Sequence, residues 1–288
     1  MKKRTEEYLL KTACNILEVS AKEAGKLSYI ANMMVNAALP CRDLGVNEFV
    51  RVNGTSRLTI LSPTEIGIPY GTYPRILLIW IVSQAKTKKT REIYLGESVS
   101  EFMRNIGKSS SGGAGGTLTM LKEQSQRLFS STICFTQNKE DNFSVKNISI
   151  AQEASVLWRN NSERGWSSTI TLNEGFYDDV QNSAVPIDMR VIEACSHYPL
   201  AMDVYCWLTY RYFRMPRPAF ITWKQLSAQF GNVFANAKHF KPKFICALHR
   251  VSLFYPKAKY SISARGLCLY PSPTHVPPSD NVVLLDTG

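Results

Sequence analysis

The sequence predicts an α+β fold of two tandem winged-helix units, each a helix-turn-helix followed by a β-hairpin wing, behind an N-terminal helical arm. First, the order helix, short strand, two helices and hairpin occurs twice along the 288 residues. Second, Tyr73-Pro74 and Tyr198-Pro199 open corresponding helices 125 residues apart, and apolar positions of the following helices match at an offset of 124. A steady offset of this kind is typical of two copies of one supersecondary unit.

The domain boundaries follow from this repeat and from the distribution of proline. The predicted parts are the helical arm at 1–40, the first winged-helix unit with flanking hairpins at 41–183, the second, basic unit at 184–276 and a flexible tail at 277–288. Four prolines occur between Pro271 and Pro278, so we expect the chain from Pro271 onward to pack poorly.

The sequence of the N-terminal part predicts two helices followed by a β-hairpin. Residues 5–39 contain no proline, and the second helix is expected from Leu27 to Leu39, where Pro40 ends it. Alternating apolar residues on both sides of Asn53-Gly54 predict a β-hairpin with strands at 49–52 and 57–61.

Within the first unit at 41–183, the elements are predicted from the Tyr73-Pro74 helix to a short helix at Glu174 to Val180. A capping box at Ser98 and Glu101 starts one helix, and Thr117 is expected to N-cap the next, Leu118 to Phe129. The expected strands are a short one at 92–95, the wing at 132–137 and 143–150, and a further hairpin at 156–158 and 166–172.

The second unit repeats the order. Asp188 is expected to cap a helix to Ser196, and Gly231 to end the helix that begins near Trp223. The third helix is predicted from Pro242 to Phe254, with the proline at its first position, where the missing N–H costs nothing. The remaining strands are expected at 219–221, 257–262 and 266–269, with a basic wing turn at 263–265.

The positive charge of the chain is concentrated in this second unit. The formal net charge is +11, and the interval between Asp203 and Asp280 holds eleven Lys and Arg residues and no acidic residue. The rest of the chain has 23 basic and 23 acidic residues and is neutral. Such a segment indicates a polyanion-binding surface, with nucleic acid first and a membrane surface second, whereas a merely solubilising surface normally mixes both signs.

The candidate DNA-binding residues lie on the third helix of each unit and around the second wing. On the helix from Pro242, Phe244, Ala247, Leu248 and Val251 share one face and leave the opposite face polar. Base readout is assigned to Lys243 and Arg250, which are two turns apart on the same side. The further candidates of the second unit are Lys238, Lys241, His249, Lys257, Lys259 and Arg265. Those of the first unit are Thr119, Gln126 and Arg127, a weaker set because Glu123 accompanies it.

No motif for catalysis, a metal or a cofactor is convincing. Gly107-Lys108-Ser109 lacks the first glycine of a P-loop, and Cys246 with His249 has no second ligand pair. No apolar run approaches the twenty residues that cross a bilayer, and the basic start lacks the apolar stretch of a signal peptide. The seven cysteines show no repeated CxxC spacing. We therefore expect a cytoplasmic, non-enzymatic protein with reduced thiols and no cofactor.

Several motifs resemble the plasmid-encoded RepA replication-protein family. They include Pro-Tyr-Gly-Thr-Tyr-Pro-Arg at 69–75, Leu-Ala-Met-Asp-Val-Tyr-Cys-Trp-Leu-Thr-Tyr-Arg at 200–211, Ile-Thr-Trp at 221–223 and Gln-Phe-Gly at 229–231. The resemblance runs from about Leu27 to Val276, with a departure at 108–115, where the family has a proline and an aromatic residue. It implies an initiator that binds repeated duplex sites at a plasmid origin and helps to recruit the host replication initiator and replicative helicase.

Other functions remain open at this stage. An adaptor that binds a host helicase and touches DNA without specificity would carry the same charge, and so would a transcriptional repressor. A nicking or primer-making enzyme is disfavoured because the sequence lacks the ligand clusters that such enzymes need. Apolar residues of the 49–61 hairpin are a candidate homodimer edge.

Overall fold

The structure is a computed structural model that describes residues 3–36, 38–53, 55–108, 116–139, 142–156, 168–231 and 237–277. Its helices are α1 (Lys3–Glu18), α2 (Asn32–Asn36), α3 (Thr72–Lys88), α4 (Val99–Asn105), α5 (Thr117–Ser130), α6 (Glu174–Ser183), α7 (Met189–Ala194), α8 (Pro199–Phe213), α9 (Trp223–Phe230) and α10 (Ala237–Ser252). Its strands are β1 (Leu27–Ile30), β2 (Glu48–Asn53), β3 (Ser56–Leu61), β4 (Glu92–Tyr94), β5 (Thr132–Lys139), β6 (Asn142–Ser149), β7 (Ala151–Ser155), β8 (Thr169–Leu172), β9 (Val185–Asp188), β10 (Ala219–Thr222), β11 (Tyr260–Ile262) and β12 (Gly266–Leu269). The fold is mixed α and β, as predicted.

The described strands form four small antiparallel sheets. Their orders are β1-β9, β2-β3-β5-β6, β4-β8-β7 and β10-β12-β11. The predicted hairpin at Asn53-Gly54 is confirmed, since Val52 pairs with Arg57 across it.

The second N-terminal helix predicted from Leu27 is wrong at its start. Leu27–Ile30 is strand β1, which pairs with β9 so that Leu27 lies opposite Asp188. The helical prediction failed because β9, which supplies the backbone partners of β1, is more than 150 residues away. Arg190 also donates from Nη1 to the side-chain oxygen of Asn15 (2.8 Å) and from Nη2 to the carbonyl of Val19 (2.7 Å), so α1 is fastened to α7.

The hairpin predicted as the first wing belongs to another sheet. Strand β5 pairs with β3, placing Ile60 opposite Ile133, and both side chains are buried. Strand β4 pairs instead with β8, where Ile93 lies opposite Ile170. The partner of β4 is therefore the β7–β8 hairpin. Both hairpins alternate apolar and polar residues, so their local patterns do not distinguish the partner of β4.

The two units nevertheless share one element order. The first runs α3, β4, α4, α5, β7, β8, with the β5–β6 hairpin inserted after α5, and the second runs α8, β10, α9, α10, β11, β12. In each, the strand before the pair of helices lies beside the last strand of the hairpin. The offset of about 124 residues between corresponding helix positions therefore relates two units with the same order and pairing of elements.

Several predicted boundaries shift. The strand predicted at 156–158 is observed as β7 at Ala151–Ser155, and α7 ends at Ala194 rather than at Ser196. Helix α10 begins at Ala237, so Pro242 is inside it and removes one backbone hydrogen bond. Thr117 is the first helical residue of α5 and Gly116 occupies the cap position, without a side-chain cap. Strand β11 begins at Tyr260, three residues later than predicted. The capping predictions at Ser98 and Asp188 are confirmed.

The chain after Pro271 packs onto the second unit, contrary to expectation. The Tyr255 hydroxyl donates to the carbonyl of Pro273 (2.6 Å), and His275 Nδ1 lies 2.7 Å from the Tyr205 hydroxyl. Val276 is buried. Of the tail predicted at 277–288, residues 278–288 lie outside the described residues.

One apolar core runs through both units, and a buried ion pair joins them. Arg75 on α3 binds both carboxylate oxygens of Asp203 on α8, at 2.8 and 2.7 Å. Helix α9 also packs on β2, so the second unit rests against the first sheet of the chain.

Candidate nucleic-acid interface

Helix α10 has the amphipathic character that its sequence predicts. Phe244, Leu248 and Val251 are buried, whereas Lys243 and His249 are exposed. The polar face of α10 is therefore open to a ligand.

Aromatic packing fixes the position of α10. The Phe244 ring lies 6.4 Å from Trp207 of α8 and 6.2 Å from Trp223 of α9, between ring centroids. Phe230 and Phe240 each lie 5.5 Å from the same ring. Edge and tilted contacts of this kind add to the energy of apolar burial, so α10 is held rigidly against both preceding helices.

Trp223 connects α10 to the turn of the β11–β12 hairpin. Its indole N–H donates to the carbonyl of Ser263 (3.1 Å), and its backbone N–H donates to the carbonyl of Arg265 (3.2 Å). The Lys241 ammonium lies 5.0 Å from the centre of the same indole ring. Trp223 therefore contacts both the Lys241 ammonium, through its ring, and the backbone of the predicted wing residue Arg265, through its own backbone N–H, a connection for which the sequence carries no signal.

A glycine is required where the hairpin meets β10. A Cβ atom at Gly266 would lie 2.3 Å from the backbone carbonyl oxygen of Ile221 and 2.9 Å from the Phe220 ring. This close approach of β12 to β10 sets the position of the hairpin turn.

The two residues assigned to base readout differ in their surroundings. Lys243 and Arg250 are two helical turns apart, about 10.5 Å along the axis. Lys243 is exposed, but the Arg250 guanidinium lies 3.6 Å from the centre of the Tyr198 ring and is partly buried. Tyr198 was predicted only as the residue that precedes α8, and its stacking on Arg250 preorganises that guanidinium.

Not all of the predicted cations of the second unit belong to α10. Lys257 and Lys259 are exposed but follow the end of α10. The backbone N–H of Lys259 donates to the hydroxyl of Ser272 (3.0 Å), so this stretch lies against the docked C-terminal segment. Burial lowers the pKa of His275 in that segment to about 4. The side chain of Lys238 lies outside the described residues.

These cations are not neutralised by the described part of the protein. Among its residues, no carboxylate lies within 4.0 Å of the predicted cations Lys241, Lys243, Lys257, Lys259 and Arg265. The surface formed by the exposed face of α10 and the 263–265 turn is therefore strongly positive. We call it the α10 surface.

The corresponding helix of the first unit is less suited to DNA. Thr119 and Gln126 are exposed on α5. The Arg127 guanidinium, however, is bound by Asp43 (3.1 Å) and Glu123 (3.0 Å). It also donates to the carbonyl of Ile68 (3.1 Å) and stacks on Tyr70, so both terminal nitrogens of the guanidinium have partners within the protein, whereas its Nε has none among the described residues. Gln124, which no pattern singled out, is buried and accepts a hydrogen bond from the Tyr70 backbone N–H (2.8 Å).

The described residues contain no group of three or more His, Cys, Asp or Glu side chains arranged to hold a metal ion. Burial raises the pKa of the Cys195 thiol to about 12, so this cysteine is not an activated nucleophile. Within the same part of the chain, no helix has the length and apolar character needed to cross a bilayer.

Comparison with known proteins gives one family and a shared fold. The family model described as plasmid-encoded RepA protein matches residues 68–225, more than half of the chain. No curated protein matches. The crystal structure of RctB domains 2–3 (residues 155–483) aligns with a TM-score of 0.51 and 11% identity, covering 82% of this chain and 94% of that one. That of selenomethionine-labelled RctB domains 2 and 3 gives 0.53 and 12%, covering 83% and 96%. At such identities the likeness shows the fold alone.

Proposed function

The chain belongs to the family of plasmid-encoded RepA proteins, and from this premise we propose that it initiates plasmid replication by binding specific duplex repeats at the plasmid origin. The observation that carries the proposal is the α10 surface, where no carboxylate of the described residues lies within 4.0 Å of Lys241, Lys243 or Arg265. We interpret both units as winged helices, and their shared element order supports this.

In the proposed complex, α10 lies in the major groove. Lys243 and the stacked guanidinium of Arg250 read base edges two helical turns apart, and the exposed His249 adds a contact next to Arg250. The 263–265 turn, with Arg265, contacts the adjacent backbone and adds affinity without sequence information. In the first unit, Thr119 and Gln126 make a second contact with the duplex, while Arg127 supports the fold.

The proposal extends to the partners that family membership suggests. Once bound at the origin, the protein recruits the host replication initiator and replicative helicase and acts without catalysing a reaction. The mostly neutral first unit binds these host proteins, and the 49–61 hairpin forms the interface with a second copy of the chain.

The decisive experiment compares specific and nonspecific binding. Lys243→Ala and Arg250→Ala should each lose about 1–3 kcal/mol of affinity for an origin fragment and much less for a scrambled duplex, as measured by fluorescence anisotropy. Lys257→Ala, which removes the same charge beyond the end of α10, is the matched control and should retain the preference for the origin.

Other outcomes favour the other functions. Equal affinity of the wild type for origin and scrambled duplexes, or a salt titration without slope, would favour an adaptor and contradict origin binding. Specific binding by a protein whose loss leaves plasmid replication intact would indicate a repressor. Metal-dependent cleavage of origin DNA would show an enzyme.

A further inference from the structure

A second cationic feature lies away from the α10 surface, in a recess between the β2-β3-β5-β6 sheet and helices α8 and α9. The recess has a volume of about 520 Å³, within the range of small-molecule sites. Its charged lining residues are Arg51, Arg57, Lys146 and Arg211. They come from β2, β3, β6 and α8, so only the tertiary structure brings them together.

Arg51 is the unusual member of this group. It is 3% exposed, and its Nε and Nη1 atoms have no hydrogen-bond partner among the described residues. The nearby Asp203 carboxylate is already bound by Arg75 through both oxygens. Loss of hydration lowers the pKa of Arg51 to about 10. A buried guanidinium with unused donors is costly, and proteins retain such a group where a ligand or bound water satisfies it.

The surrounding groups reinforce this arrangement. The Nε atom of Arg211 is also buried without a partner among the described residues, and its guanidinium lies 5.9 Å from the centre of the Trp207 ring. Lys146 is exposed and shares the sheet face of Arg51, because Arg51 lies opposite Leu58, Leu58 opposite Phe135 and Phe135 opposite Lys146. Arg57 follows Ser56 and precedes Leu58 in β3, so it belongs to the other face of the sheet. Lys146 is 3.5 Å from Asp179, and no carboxylate is among the lining residues.

We propose that this recess binds a phosphate group, with Arg51 and Arg211 donating from its wall and Lys146 contacting it from the mouth. A guanidinium fork matches two phosphate oxygens, which a halide ion cannot reproduce. The phosphate comes from a small phosphorylated molecule or from a DNA strand, and both present the same group to the site. A bound phosphate would connect the sheet that precedes the second unit with its first helix.

The test uses the full-length protein and inorganic phosphate or pyrophosphate, with sodium chloride at equal ionic strength as the reference. Pyrophosphate should raise the melting temperature of the wild type and bind measurably by calorimetry. Arg51→Met should lose at least about tenfold in pyrophosphate affinity, since charged hydrogen bonds of about 1.5–3 kcal/mol are removed. Its own melting temperature in chloride should be unchanged or higher. Lys22→Met, an exposed charge-matched change in the N-terminal segment, should bind pyrophosphate like the wild type.

A second variant and a DNA arm keep the outcomes distinct. Lys146→Gln, at an exposed position on the sheet face of Arg51, should also weaken pyrophosphate binding and does not depend on repacking the interior. If the phosphate is carried on DNA, duplex should displace pyrophosphate, and Arg51→Met should weaken DNA binding regardless of sequence. If it is a small molecule, DNA binding should be unchanged. The proposal is overturned if neither phosphate nor pyrophosphate raises the melting temperature of the wild type above its value in chloride and Arg51→Met binds DNA like the wild type. That result would not bear on whether the protein binds origin DNA specifically.

Discussion

Replacing Arg75 with Met should destabilise the whole protein. The Arg75 and Asp203 side chains are 6% and 14% exposed, and the guanidinium also donates to the carbonyls of Leu39 (2.6 Å), Pro40 (3.2 Å) and Gly71 (2.5 Å). The substitution leaves the carboxylate buried and all three carbonyls without this donor. Breaking a buried pair by removing one partner typically costs about 3–5 kcal/mol.

The loss should be measured as the free energy of unfolding in urea, together with the melting temperature. At this chain length, about 3–5 kcal/mol corresponds to a fall of roughly 6–20 °C. A double-mutant cycle with Asp203→Leu separates the pair from its surroundings, because the double variant buries no charge at this position. The loss in the free energy of unfolding of the double variant should be smaller than the sum of the two single losses by at least about 2 kcal/mol.

The exposed pair of Lys26 and Glu193 provides the control. Its atoms are also close, at 2.9 Å, but the side chains are 42% and 27% exposed. Lys26→Met should therefore cost less than about 1 kcal/mol. Equal losses of stability in Arg75→Met and Lys26→Met would refute the argument that the buried pair joins the two units. Additive effects of Arg75→Met and Asp203→Leu would refute it as well.

Three further changes test separate features of the second unit. The pKa of His275 is about 4 in the folded protein and about 6.5 when unfolded, so the unfolded chain takes up the proton first. Stability should fall by on the order of 3 kcal/mol as the pH drops from 6.5 to 4, and thermal melts of His275→Gln should show a weaker dependence in that window. Gly266→Ala forces a Cβ atom against the Ile221 carbonyl. It should lower the free energy of unfolding by about 1–3 kcal/mol and weaken DNA binding. An unchanged urea midpoint would contradict the close approach of β12 to β10. Pro242→Ala restores a backbone hydrogen bond inside α10 and should raise the free energy of unfolding by about 1–3 kcal/mol, measured in urea. A lower free energy of unfolding in this variant would show that the proline stabilises the helix.

Local patterns predicted the elements that depend on local chemistry. The buried face of α10 followed from the spacing of Phe244, Leu248 and Val251, because residues three and four apart share one side of a helix. The hairpin at Asn53-Gly54 and the cap at Asp188 also follow from conformations that neighbouring residues dictate.

Pairings between distant segments were predicted less well. Whether β4 joins β5 or β8 depends on which apolar surfaces meet in the core, and the two hairpins have similar alternation. The engagement of Arg127 by Asp43 depends in the same way on a loop 84 residues away. Arg51 did carry a local clue, since it follows the buried Phe49 at the period-two spacing of an inward-facing strand position.

The amino-acid sequence by itself determined the mixed α and β class, the repeated order of elements, the family resemblance and the segregation of positive charge into the second unit. These properties are carried by residue types and short spacings. Only the tertiary structure decided which strands pair, which cations remain open to a ligand and that four basic side chains from different elements line one recess. Such outcomes depend on burial and on contacts between residues far apart in the chain, which no local pattern encodes.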